Sequence, residues 1–127
     1  MLYVLNKDPL LLSRTRISKG GKVYSESSGL KLCSEIELKS QHGDSDILVK
    51  GPLELSTIFF FNKPQKGSNC QKRYHDLSPN LLNLMKVILS LMEGIVFDNE
   101  SIISKIDSQK RYCVKPRVEI EIKRIEE

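Results

Sequence analysis

The sequence predicts an α+β domain, a single mixed β-sheet with helices packed on one face, associated as a homodimer. Three observations lead there. Residues 117–125, "RVEIEIKRI", alternate: Val118, Ile120 and Ile122 face one way, and Glu119, Glu121 and Lys123 the other. Residues 52–61, "PLELSTIFFF", read as a strand whose apolar end suggests burial on both faces. Between them, residues 79–93, "PNLLNLMKVILSLME", repeat at the helical period. Their polar positions Asn80, Asn83, Lys86, Ser90 and Glu93 fall on one stripe, and the rest is apolar. So wide an apolar surface needs cover on two sides, and the sheet and a second subunit are the natural covers.

The other elements follow in order. "MLYVLN" at 1–6 is a short strand stopped by Asp8-Pro9. Gly20-Gly21, set among basic residues with Ile17 and Val23-Tyr24 around it, marks a hairpin or a long basic loop. Leu30, Cys33 and Ile36 are spaced for an amphipathic helix over 28–40. "QHGDSD" at 41–46 is a polar turn, and 62–79 reads as a mobile basic loop. Ser78 is the expected N-cap of the 79–93 helix, with Pro79 at its first position and Gly94 as its stop. Residues 102–112 make a further strand before the last one. No repeat or linker divides the 127 residues, so residues 1–127 are expected to form one domain.

No run of about 18 uncharged apolar residues exists, which argues against a membrane span, and the start does not read as a signal peptide. Cys33, Cys70 and Cys113 are odd in number and widely spaced, which argues against zinc and a disulfide framework. They point to free thiols in a reducing, cytoplasmic setting. The net charge of +4 permits nucleic-acid binding without demanding it. Its distribution says more. Arg14, Arg16, Lys19 and Lys22 cluster early, Lys63, Lys66, Lys72, Arg73 and His75 in the middle, and Lys105, Lys110, Arg111, Lys115 and Arg117 late. Each cluster taken singly suits a solvated loop or strand edge; three together compete as a phosphate-contacting surface.

From His75 onward the chain resembles the RusA-type Holliday junction resolvases, small dimeric endonucleases that cut four-way DNA junctions. The likeness rests on His75, Pro79, Asn83, Leu84, Lys86, Gly94-Ile95-Val96, Glu100, Ile103, Lys110-Arg111-Tyr112 and Pro116-Arg117, all in register without a gap. Upstream, "SRTR" and "GGKVYS" resemble the family's basic segment, so the likeness runs from about residue 12 to residue 122. It implies branched DNA as partner, with Arg14, Arg16, Lys19, Lys72, Arg73, His75, Lys110, Arg111 and Arg117 on the nucleic acid. It implies Mg²⁺ or Mn²⁺ as cofactor if the protein is active, and Lys86 and Glu100 as catalytic residues.

The departures fall on the family's metal-binding acids. Asn80 and Leu82 stand where the central motif has acids, Ser90 replaces the helix acid, and Asn99 replaces the first of a later pair. Glu100 remains in register with Asp98 nearby, so Asn80, Asp98 and Glu100 are what is left of a metal site. Inserting one residue brings Asp76 toward that site, at the loss of register for His75, Asn83 and Lys86. Magnesium favours near-octahedral oxygen ligands that usually include carboxylate, and Leu82 supplies none. Three readings stay open: a DNA-binding protein that has lost cleavage, an active divergent metal-dependent nuclease, and an interaction scaffold that binds no DNA.

Overall fold

The computed structural model describes residues 1–12, 15–17, 23–25, 28–43, 48–64 and 72–126. Strand β1 (Leu2–Leu5) is followed by a single helical turn, α1 (Pro9–Leu12), that the sequence reading took only as a strand stop. The Asp8 side chain accepts the Leu10 amide at 2.9 Å, so the stop is also a cap. β2 (Thr15–Ile17) and β3 (Val23–Ser25) pair antiparallel with Arg16 opposite Tyr24, which selects the hairpin over the long loop. The turn bearing Gly20-Gly21 lies outside the described residues. α2 (Ser28–His42) comes next, then β4 (Leu53–Asn62), α3 (Leu81–Met92), β5 (Ile103–Cys113) and β6 (Arg117–Arg124). A 3-10 turn at Glu100–Ile102 leads into β5.

The main sheet runs β1-β6-β4-β5. β1 pairs antiparallel with β6, and β6 with β4, whereas β4 and β5 are parallel because α3 carries the chain back between them. The sheet is therefore mixed, as expected. On β4 the buried residues are Leu53, Leu55, Thr57, Phe59 and Phe61, in strict alternation. The apolar end of this strand is thus covered on one face, not two. Phe60 points to the other face, where the Arg117 guanidinium lies 4.1 Å from its ring centre.

α3 is the central helix, with Leu84, Ile88 and Met92 fully buried in one core with Phe59, Val118 and Ile120. It starts two residues later than the proline suggests. Asn80, not Ser78, is the cap: its backbone is extended (φ −68°, ψ 135°) and its Oδ1 accepts the Leu82 amide at 2.8 Å. Asparagine is among the strongest caps, so Pro79 is left outside the helix. Gly94, at φ 86°, turns the chain away at the other end as expected. α2 and the β2–β3 hairpin of the same chain supply the second cover that the apolar surface requires. Leu82 stays 70% exposed.

The two edges of the sheet are finished differently. At β1, the Gln41 side chain of α2 takes both polar groups of Val4, accepting its N–H and donating to its C=O, each at 2.6 Å. Glu37 accepts the Asn6 amide at 2.9 Å and pairs with Lys7. At β5, among the described residues, the cover is backbone from residues 73–75 at the strand's C-terminal end.

Candidate nucleic-acid interface

The site is built where β4 and β5 end, β6 begins and residues 72–80 cross the sheet edge. That crossing segment contains no regular element, yet it is pinned. Its amides and carbonyls join β5: the His75 N–H donates to Lys110 O at 3.1 Å, and the Tyr112 N–H to Arg73 O at 2.9 Å. The Lys110 ammonium reaches back to the carbonyls of Leu77 (2.6 Å) and Pro79 (2.8 Å). The expected mobile loop is, over 72–79, a clip on the strand; residues 65–71 lie outside the described residues.

His75 anchors the clip. Its ring stacks on Phe61 with centroids 3.7 Å apart and planes 13° apart, and tilts against Tyr112 at 5.2 Å. It is 9% exposed, and its Nδ1 is buried with no hydrogen-bond partner among the described residues. Burial pushes the imidazole below its ordinary pKa, the Lys110 charge adds to this, and Asp76 opposes both. The buried, stacked ring holds the segment against the strands.

Around this anchor lies an open cleft of about 410 Å³ lined by Phe60, Lys63, Lys72, Arg73, Arg111 and Tyr112. Arg111 sits 5.3 Å from the Tyr74 ring centre, and Lys72 forms an exposed ion pair with Asp76 at 3.0 Å. That pair holds the Asp76 carboxyl below its usual range. Arg117 is more fully engaged. Its Nε donates to Glu119 at 2.7 Å, and one terminal nitrogen donates to Cys113 Sγ at 3.2 Å and to the Lys115 carbonyl at 3.1 Å. The Lys115 amide and then Arg117 lower the Cys113 thiol's pKa. Four cations around two aromatic rings can grip phosphate oxygens while offering a flat face to a base or sugar.

The structure therefore gathers Lys72, Arg73 and Arg111 into one basic surface, with Arg117 at its margin and Lys110 and His75 beneath it as supports. Arg14 and Lys19 lie outside the described residues, and of Arg16 only the strand backbone is described. Phe60 and Tyr74 were missed from sequence. The signal for Phe60 was present, since the middle residue of "FFF" must point opposite its neighbours in a strand.

The acids are placed differently. Asn80 caps the start of α3, whereas Asp98 and Glu100 follow its end, so the helix's length of about 18 Å at about 1.5 Å per residue separates them. Lys110, ten residues beyond Glu100 on the adjoining strand, touches the segment before Asn80 and places the two ends likewise. Asn99 uses its Oδ1 as Asn80 does, accepting the Ser101 amide at 2.8 Å to start the 3-10 turn. Lys86 is exposed one turn and a half into α3. Among the described residues no group of three or more His, Cys, Asp or Glu side chains could hold a metal ion. Within one chain, Asn80, Asp98 and Glu100 do not fit a divalent-metal site.

A basic cleft lined by aromatic rings at one end of a mixed sheet has the chemistry to hold a polyanion. The family model described as Endodeoxyribonuclease RusA matches residues 8–123, nearly the whole chain, and the chain belongs to that family. This is a family of Holliday junction resolvases, endonucleases of DNA recombination that bind branched DNA and generally depend on a divalent metal. No curated protein matches the chain. No helix among the described residues is long and apolar enough to cross a membrane.

Proposed function

We propose that this protein binds four-way DNA junctions as a cytoplasmic homodimer and that its cleavage is weakened or lost. The observation that carries the reading is the contrast between the two halves of the inherited site. The cationic cleft is assembled and braced by Lys110 and His75. Of the acid positions, Asn80 and Asn99 are asparagine caps, Leu82 and Ser90 bear no carboxylate, and Glu100 lies beyond the end of α3 opposite Asn80. Binding then proceeds through Lys63, Lys72, Arg73 and Arg111 on phosphates, with Phe60 and Tyr112 lining the cleft.

A mobility-shift series with a labelled four-way junction and a linear duplex, from about 50 to about 200 mM salt, tests it. The junction is expected to bind more tightly, with affinity falling steeply as salt displaces the phosphate contacts. Arg111→Ala should weaken binding and reduce the salt slope by about 0.9. No shift at the lowest salt would sink the reading. Incubation with Mg²⁺ or Mn²⁺ is expected to leave the junction uncut. Cutting abolished by Glu100→Gln would instead make the protein an active nuclease.

A further inference from the structure

Arg117 differs from the other arginines of the basic surface in how its donors are spent. Its Nε and one terminal nitrogen hold Glu119, Cys113 Sγ and the Lys115 carbonyl, and its side chain is only 25% exposed. The Glu119 carboxylate, 2.7 Å away, offsets its charge and repels a phosphate brought beside it. Arg73 and Arg111 have no carboxylate partner among the described residues. What Arg117 keeps is its flat guanidinium, held 4.1 Å from the Phe60 ring centre. Aromatic rings and guanidinium planes are the surfaces on which proteins stack bases.

We infer that the Arg117–Phe60 pair is a stacking platform for a base whose own stack is interrupted, as at the branch point of a junction; the inference rests on the DNA-binding reading above. Three observations converge on it. Strand register sets Phe60 between Arg111 of β5 and Arg117 of β6, so one row across the sheet carries a free cation, a ring and a guanidinium. Adjacent strands stand about 4.8 Å apart, so a single nucleotide can lay its phosphate on Arg111 and its base on the pair. The bonds to Glu119, Cys113 and Lys115 fix the guanidinium before DNA arrives, so stacking costs little further ordering of that side chain. A base inside a continuous duplex offers only its edges. The platform therefore favours DNA that exposes a base face.

Mobility shifts of the full chain with three DNAs decide it: a four-way junction, a fully paired duplex, and the same duplex with a short unpaired tail. Phe60→Leu keeps the apolar bulk and Arg117→Lys keeps the charge, and far-UV circular dichroism checks that both fold. Each should cost the junction and the tailed duplex about tenfold in affinity relative to the paired duplex, the value of one stacked base. The salt slope should stay that of the parent. A fluorescent adenine analogue in the tail should be quenched when the parent binds and stay bright with either variant bound. Equal losses on all three DNAs, a slope reduced by about 0.9 in Arg117→Lys, or an analogue that stays bright with the parent overturns the platform and leaves the DNA-binding reading intact. A parent chain that shifts none of the DNAs overturns both.

Discussion

At the scale of single residues, the site depends on side chains whose work is to hold others in place. Lys110 and His75 both read from sequence as DNA contacts, yet Lys110 spends its ammonium on two carbonyls and His75 lies under the cleft. The histidine makes stability depend on pH in a definite direction. Its folded pKa lies below the ordinary value, so the unfolded chain binds the proton more readily. This contribution is complete above the unfolded pKa of about 6.5 and is lost as pH falls through that value toward the folded one. Urea midpoints measured at about pH 7.5 and about pH 5.5 should therefore drop on acidification, and His75→Phe, which keeps the stack on Phe61, should shrink that drop. An equal drop in the variant would place the effect elsewhere. Sequence could not show this role, because nothing in "KRYHDL" says that the ring folds inward onto Phe61.

At the scale of elements, the strands and α3 were legible because their apolar periods are long and regular. What escaped were the choices made between neighbours. Ser78 and Asn80 both cap well, and the hydrogen bond from Leu82 decides for Asn80. The wide apolar surface of α3 was correctly read as needing two covers, but sequence could not tell that α2 and the hairpin provide the second. The 72–79 segment has no period at all, since its order comes from bonds to β5. The cap carries its own test. Asn80→Ala should cost about 1 kcal/mol of stability in urea unfolding, while Asn80→Asp should stay within about 0.5 kcal/mol of the parent, since aspartate caps as well and sits favourably at a helix N-terminus. That outcome would mean that the fold does not require a neutral cap at position 80. A large loss in Asn80→Asp would show the opposite.

At the scale of the whole molecule, the cations of the cleft gather where β4 and β5 end, at Lys63, Lys72, Arg73 and Arg111. Phe60 and Arg111 are register partners and project from the face of the sheet opposite Phe59 and Phe61. The strands thus supply one side of the cleft and the clip the other. Lys110→Ala, which frees the carbonyls of Leu77 and Pro79, should weaken junction binding in the mobility-shift assay; unchanged binding would show that the clip's cations do not contribute. The backbone bonds between residues 73–75 and β5 have a thermodynamic consequence. They set the cations before any phosphate arrives, so the ordering cost is met in folding and not in binding.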